Sequence, residues 1–555
     1  MVNKLISRGR KFLTEPQTSV LSAATLIMFM IIASRILGLF RQRVLAHFFG
    51  ADELSLFFAA FRLPDLVFEV LVFGTFSSAF IPVFTKSLKN KGSRHAWDIA
   101  STVVNLSLLV FAVFALILGF WAERFYSYFT PGFELADQQR IASLARILFA
   151  AQGFFVISYV LTGVLESLRR FFIPALAPLF YNLGIIFGTM FFAEKMHLLA
   201  PVFGVVIGAF AHLAIQLPFA VKLGFRFKPK IEVNDDVRKI GRLAFPRLIE
   251  TSFLQVSKMA ELFFASLVSV PAYTYYTFAN TLQLLPVGLF GISIAKAVLP
   301  TLARQADELS QFRRTILDAL YQVAFLIIPI SVSLVVLRVP IVRLVYGTDI
   351  FGWDATLETG YVLSAFAGGV FFQAAAAILS RGFYALHDTK TPVVVSTISI
   401  IITLISDYVF VGVLRVGIWG LALSFSLGAI IQSVSLYFLI GKRLDIVRFR
   451  SVVPFLKTTF AALFSGSFMY LILKFFDRSV WVKRLSFFGR IDGVYGIDFE
   501  RFVLDTRYTT NLLALTIIVL VVGAVLYFGL SIALGSREGW TFFNLVKRTV
   551  IKHEI

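Results

Sequence analysis

Apolar residues in this chain run in blocks of about 20 or more, separated by short stretches where Lys, Arg, Asp, Glu, Gly and Pro gather. A helix of that length crosses the hydrocarbon core of a bilayer. Six blocks, near 19–40, 56–84, 100–122, 145–167, 173–193 and 199–222, precede the polar segment GFRFKPKIEVNDDVRK. Six more follow it, near 243–269, 273–300, 316–338, 360–383, 392–414 and 418–441, and two last ones near 453–475 and 511–535 bring the count to fourteen. The pattern predicts an all-α polytopic membrane protein with fourteen transmembrane helices: two pseudo-symmetric six-helix lobes plus two extra C-terminal helices. The lobes are residues 1–222 and 243–441, joined by a cytoplasmic basic linker at 223–242. The part from 442 to 555 holds the two extra helices and a long external loop near 477–509.

Charge tests that count, because Lys and Arg concentrate in cytoplasmic loops. Basic clusters at Lys4 to Lys11, Lys86 to Arg94, Arg169 and Arg170, Arg226 to Lys230, Arg313 and Arg314, Lys442 to Arg450 and Lys547 to Lys552 all fall on one side of the fourteen-span path. Both termini are therefore expected in the cytoplasm. The first 20 residues are basic, and the apolar run after them is too long for a signal peptide, so it reads as an uncleaved span. A net charge of +20 suggests nucleic acid only until the 58% hydrophobic content is considered, for no soluble module remains to bind one. The same content excludes a soluble enzyme, and 63 Phe against 17 Pro and 36 Gly excludes a disordered or collagenous chain. With no Cys there is neither a disulfide nor a thiolate metal site.

An internal repeat runs through the two lobes. Leu168 and Pro174 of LRRFFIP match Leu386 and Pro392 of LHDTKTP at an offset of 218, Pro82 matches Pro300 at the same offset, and Gly204 and Gln216 match Gly420 and Gln432 at 216. An even number of spans per repeat relates the halves by an axis along the bilayer normal, an arrangement that places a cavity between them.

Charges at bilayer depth are costly and mark functional surfaces. In the seventh block Arg247, Glu250, Lys258 and Glu261 fall within an arc of about 80° on a helix, a stripe of alternating sign too long to snorkel. The second block carries Arg62, Asp65 and Glu69 around Pro64, and the first ends in Arg35, Arg41 and Arg43. The plain alternative is that these groups form structural ion pairs or reach the interface. Glu261 in the seventh block and Asp407 in the eleventh, with Thr403 one turn before it, are oxygen ligands suited to a monovalent cation or a proton. The alternative for Asp407 is a hydrogen bond to a neighbouring helix. Gly184 and Gly188, and Gly204 and Gly208, read as close helix contacts.

No catalytic motif is present: the chain has no HExxH, no nucleotide-binding loop and no GxSxG, and its six His residues lack ligand spacing. No cofactor is expected beyond Na+ or H+ as a coupling ion. Several segments do resemble a family: SRILGLFR at 34–41, FFAAFRLPDL, FSSAFIPVF, PGF at 131–133, IPALAPLFYN and above all SRGFYALHDTKTPV at 380–393 are similar to the MurJ (MviN) lipid II flippases of the MOP exporter superfamily. The resemblance covers the first twelve spans. It implies alternating access and transfer of an undecaprenyl-pyrophosphate-linked peptidoglycan precursor to the outer leaflet of the bacterial inner membrane, with the bilayer and the cell-wall synthesis machinery as partners. It also implies cavity arginines that grip the pyrophosphate. Arg35 and Arg41 match such positions, while two others fall on Phe68 and Thr281, and an acidic one falls on Ser55 or Leu56. Arg62, Arg247, Lys258 and Lys296 offer substitute positive charge. Glu261 and Asp407 align with carboxylates that form a sodium site in some members. The lost arginines keep open an exporter of another lipid-linked glycan, or a non-transporting scaffold of the same fold.

Overall fold

The structure is a computed structural model that describes residues 20–73, 79–444, 449–476, 508–541 and 543–544. Among them the chain forms helices and no strands, in two compact units: residues 1–274 with 348–351, and residues 275–347 with 352–555. In the first unit α1 (Val20–Phe48) is followed by α2 (Ala51–Ala60), α3 (Arg62–Phe68), a π-helical turn (Glu69–Phe73) and α4 (Ile81–Lys91). Then come α5 (Ser93–Phe120), α6 (Ala122–Phe129), α7 (Leu135–Ser167), α8 (Phe172–Met196), α9 (Leu199–Lys222) and α10 (Asp235–Val268). A helix α11 (Ala272–Pro286) leads into the second unit, followed by a π-helical turn (Val287–Ile292), α12 (Ser293–Arg304), α13 (Leu309–Val336), α14 (Arg338–Tyr346) and α15 (Trp353–Ala385). It ends with α16 (Lys390–Asp407), a π-helical turn (Tyr408–Val413), α17 (Trp419–Leu444), α18 (Phe449–Phe476) and α19 (Thr509–Ala533).

Eleven described helices are long and apolar enough to cross a membrane, and they correspond to the third to sixth and eighth to fourteenth expected spans. The other three expected spans are α1, the broken series α2 to α4, and α10. These three carry most of the intramembrane charges read from the sequence, while Lys296 and Asp407 lie on two of the eleven. Several helices outrun their apolar windows: α7 begins at Leu135 and α13 at Leu309, each opening with a mixed polar turn before the continuous apolar part. The long loop near 477–509, apart from its last two residues, and both chain termini lie outside the described residues.

The repeat is visible in the backbone. Helices α7 and α15 each have 33 residues and begin and end 218 residues apart. Helices α5 and α13 each have 28 residues at an offset of 216. Among the described residues, the non-glycine residues with positive φ form two pairs at the same spacing of 218: Arg169 (58°) with His387 (59°), and His197 (47°) with Arg415 (50°). A side chain in that region costs about 1 kcal/mol, so its recurrence marks a turn inherited by both halves. At the first pair the geometry is a left-handed helix cap, in which the next residue's N–H reaches back five positions: Arg170 to Leu165 O and Asp388 to Phe383 O. These caps open LRRFFIP and LHDTKTP.

The small-residue runs bring α8 and α9 into backbone contact. A Cβ placed on Gly184 would lie 2.4 Å from Gly208 Cα, and one on Gly188 would lie 2.5 Å from Gly204 Cα. In the second unit Phe312, Ile316, Val323 and Ile327 of α13 pack on Val370, Ala374 and Ile378 of α15 and on Leu436 and Ile440 of α17.

The linker read at 223–242 is extended only as far as Asn234, whose side chain caps α10 by accepting from Val237 N at 2.9 Å. Its extended part is bound along α5. Ser101 Oγ accepts from Lys228 N (2.8 Å) and donates to Lys228 O (2.9 Å), and Asn105 Nδ2 donates to Lys228 O (2.6 Å) and Lys230 O (3.1 Å). Lys228 pairs with Asp98, Phe225 meets the edge of Trp97 at 5.9 Å, and Asp236 accepts from Lys91 (2.8 Å) and bonds His95 (3.0 Å). The hydrogen bonds from Lys91 and His95 hold the Asp236 carboxyl below the usual carboxylate range.

Candidate functional site

Proline creates the site's geometry. Pro64 has no N–H to offer Ala60 O, so the helix breaks between α2 and α3, and the hydroxyl of Tyr126 donates to Ala60 O (3.1 Å) and Ala59 O (3.2 Å) instead. Tyr346, 220 residues later, donates likewise to Phe278 O (3.2 Å) in the second unit. The break turns the three charges after it toward polar partners. Arg62 Nε donates to the hydroxyl of Tyr273, with the guanidinium 5.3 Å from that ring's centroid. Asp65 accepts from Gln152 Nε2 at 2.5 Å. Glu69, which opens the π-helical turn, accepts from Lys258 Nζ at 2.6 Å and from Gln255 Nε2. The charged part of the second span is therefore joined to the seventh by an ion pair and a hydrogen bond. Ser55 and Thr274 close the same region, their hydroxyls 2.9 Å apart and both buried.

The residues singled out in the sequence fall into distinct places. Arg62 and Lys258 belong to this network. Lys258 pairs with Glu69, a partner 189 positions away that the stripe on the seventh span did not indicate. Arg41 is half-buried with its guanidinium 6.0 Å from the Tyr181 ring centroid, on the face of α1 that packs against α8, while Arg35 is exposed on the same helix. Arg247 and Glu250 lie on α10, and their side chains are outside the described ones. Lys296 is exposed on α12. At the positions of the missing arginines, Phe68 is buried against Tyr159 (5.3 Å) and Phe155 (6.0 Å), and Thr281 donates within its own helix to Thr277 O (2.9 Å). Sequence reading missed Tyr126, Gln152, Gln255 and Tyr273, and the available signal was Pro64, which requires a donor for the carbonyl it abandons.

Of the two carboxylates expected from the sequence to take a coupling ion, Glu261 is in the first unit and Asp407 in the second. Asp407 is buried where α16 passes into its π-helical turn. Thr403 Oγ1, one turn earlier, donates to Ser399 O (2.9 Å), and a Cβ on Gly428 of α17 would lie 2.1 Å from that oxygen. Ser399, Thr403 and Asp407 thus line one face of α16, with the first and last buried. Among the described residues no group of three or more His, Cys, Asp and Glu side chains could hold a metal ion. The second unit also has an open cavity of about 590 Å³ between α13, α15, α17 and α18. Its walls are apolar, including Ile328 and Val332, Phe371, Phe438 and Phe455.

Known proteins resemble most of this chain. A probable lipid II flippase MurJ of Haemophilus influenzae is 27% identical over 488 residues, covering 83% of this chain and 94% of its own length. The lipid II flippase MurJ of Burkholderia cenocepacia is 28% identical over 432 residues, 74% of this chain and 81% of its own. Among solved structures, a lipid II flippase MurJ in an inward closed conformation has the same fold, with a TM-score of 0.73, 24% identity, and coverage of 91% of this chain and 99% of the other. A multidrug resistance transporter of the MOP superfamily in an inward-facing conformation shares it more distantly, with a TM-score of 0.61 at 13% identity, over 74% of this chain and 94% of its own. The family model described as lipid II flippase MurJ matches residues 45–489, and the chain belongs to that family.

Proposed function

We propose that this protein moves lipid II from the inner to the outer leaflet of the bacterial inner membrane by alternating access. The observation that carries the reading is the set of cations in the first unit, Arg41, Arg62 and Lys258, each against an aromatic ring or a carboxylate. A pyrophosphate crossing a low-dielectric layer needs fixed positive charge, and guanidinium gives it paired hydrogen bonds. Glu69 serves Lys258 as a resident counter-ion, so a pyrophosphate entering the first unit competes for an ammonium that is already positioned. Arg35 and Arg247 supplement this set. The apolar cavity of the second unit suits the polyprenyl chain, which gains about 25 cal/mol for each Å² it removes from water.

In this reading Asp407 with Thr403, and Glu261, are the groups through which Na+ or H+ drives the cycle, the carboxylates supplying the charge and the hydroxyl a neutral oxygen. Both termini lie in the cytoplasm, and cell-wall synthesis enzymes supply and consume the substrate. Rescue of a strain depleted of its essential lipid II flippase tests the reading. Growth supports it. Failure to rescue, with normal expression and membrane insertion, overturns it and leaves export of a different lipid-linked glycan or a scaffold role.

A further inference from the structure

The extended part of the linker turns its apolar side chains away from the protein. Phe227, Pro229, Ile231 and Val233 alternate with Lys228, Lys230 and Glu232. What faces α5 is backbone and one charge: Lys228 N, Lys228 O, Lys230 O and Glu232 N are bound by Ser101, Asn105 and Thr102, and the Lys228 ammonium pairs with Asp98. Outward stand Phe227 (57% exposed), Ile231 (42%) and Val233 (51%), with Arg226 and Lys230 exposed among them. The surface under this strap identifies the medium outside it. Asp98, Ser101, Thr102 and Asn105 fall within an arc of about 100° on α5, and the same arc continues as Leu109, Leu116 and Phe120. These three are exposed on a helix long and apolar enough to cross a membrane, so the stripe faces lipid. Leu109 lies only about 6 Å beyond Asn105 along the axis, so the strap covers the polar end of that stripe at the edge of the hydrocarbon.

We propose that residues 226–233 are a membrane anchor of the first unit: Phe227, Ile231 and Val233 enter the boundary between headgroups and acyl chains, and Arg226 and Lys230 hold anionic phospholipid headgroups there. An apolar face turned outward is unfavourable in water and favourable against lipid. Non-helical backbone is tolerated at that depth only where its polar groups are paired, which is what Ser101, Thr102 and Asn105 accomplish. Charge selects the headgroup. Besides Arg226 and Lys230, the first turns of α10 expose Arg238, Lys239 and Arg242, and the long stems of these residues let an apolar neighbour sink while the cation stays at the phosphates. Lys230 also pairs with Glu232, so a headgroup competes there with a carboxylate that is itself half-exposed. The anchor depends on α5 crossing the bilayer and is independent of what the protein transports.

Because the chain has no Cys, a single introduced Cys is a unique labelling site. Full-length Ile231→Cys carrying a bimane fluorophore is placed in nanodiscs of mixed phosphatidylglycerol and phosphatidylcholine, with bromine, a contact quencher, on the acyl chains of one lipid or the other. Quenching by both is expected, and about twofold more by brominated phosphatidylglycerol at equal mole fraction. Adding Arg226→Gln and Lys230→Gln is expected to remove the preference and leave the quenching. Leu116→Cys, on the lipid-facing stripe of α5, is the control and should be quenched equally by both lipids. If Ile231→Cys does not fold, Val233→Cys on the same face gives the same readout. A label on the strap that neither lipid quenches, while the Leu116→Cys label is quenched, places the strap in water or under another protein and overturns the anchor. Equal quenching by the two lipids, or a preference that survives loss of both cations, overturns the headgroup pairing.

Discussion

The contact between α8 and α9 makes a quantitative prediction. In Gly184→Ala the new methyl group meets Gly208 Cα at 2.4 Å and Gly208 N at 2.5 Å, and both obstacles are backbone. The helices must separate by about 1 Å to restore the 3.4 Å of ordinary contact. The second crossing, Gly188 on Gly204, lies one turn along the same pair and loses its packing with the first. Overpacking of this kind costs about 1–3 kcal/mol. Replacing glycine inside a helix returns about 0.5–1 kcal/mol, leaving a net loss of up to about 2.5 kcal/mol. For a cooperative unit of about 200 residues that lowers the melting temperature by up to about 10 °C. Gly529 in α19 is the control, because nothing lies within 4 Å of the place its methyl group would take and Gly529→Ala should raise stability. Thermal unfolding of the detergent-solubilised protein, followed by intrinsic tryptophan fluorescence, measures both. If Gly184→Ala melts at or above the wild-type temperature, as Gly529→Ala is expected to, the backbone contact is refuted.

Three further outcomes are expected. In a double-mutant cycle of Glu69→Gln and Lys258→Met, flipping and stability should show coupling of about 1 kcal/mol, discounted because about a third of each side chain is exposed (30% and 34%), and strict additivity would remove the pair from the site. Asp407→Asn and Glu261→Gln should each abolish the response of flipping to an imposed sodium or proton gradient, and a wild-type response in both variants rules out the coupling role. Asp236, whose carboxyl is held below its unfolded value, contributes stability that is present above about pH 4 and is lost as the pH falls further. The melting-temperature gap between wild type and Asp236→Asn should therefore be open at pH 7 and narrow toward pH 3.

Much of the fold is legible because bilayer depth imposes a length that a single apolar run must meet. Helix α9 occupies the window read from the sequence, 199–222, at both ends. Where helices continue beyond the hydrocarbon the reading stops short, since the polar turns at the start of α7 and α13 carry no apolar signal. The stripe on the seventh span singled out Lys258 as a cavity-lining charge, and the structure gives it a carboxylate partner. Its actual partner could not be read, because Glu69 lies 189 residues away and no periodicity connects two spans. The second span looked like one continuous run from 56 to 84. Pro64 and a π-helical turn divide it, and the carbonyl that proline abandons is taken by a tyrosine from another helix. Uncharged polar residues such as Gln152 and Tyr273 vanish among apolar neighbours in sequence, yet they hold the charges that were visible.

The binding of residues 225–234 along α5 changes what kind of object the linker is. In polymer terms a flexible connection has slack, and lengthening it costs only about (3/2)RT times the logarithm of the length ratio. This one has almost none: Lys228, Lys230 and Glu232 each meet α5 through the backbone, Asn234 caps the first turn of α10, and Asp236 ties that turn to Lys91 and His95. Register, rather than contour length, is what the segment conveys. An insertion of two glycines between Lys228 and Glu232 would shift every later contact out of step, whereas the same insertion in a slack loop would pass unnoticed.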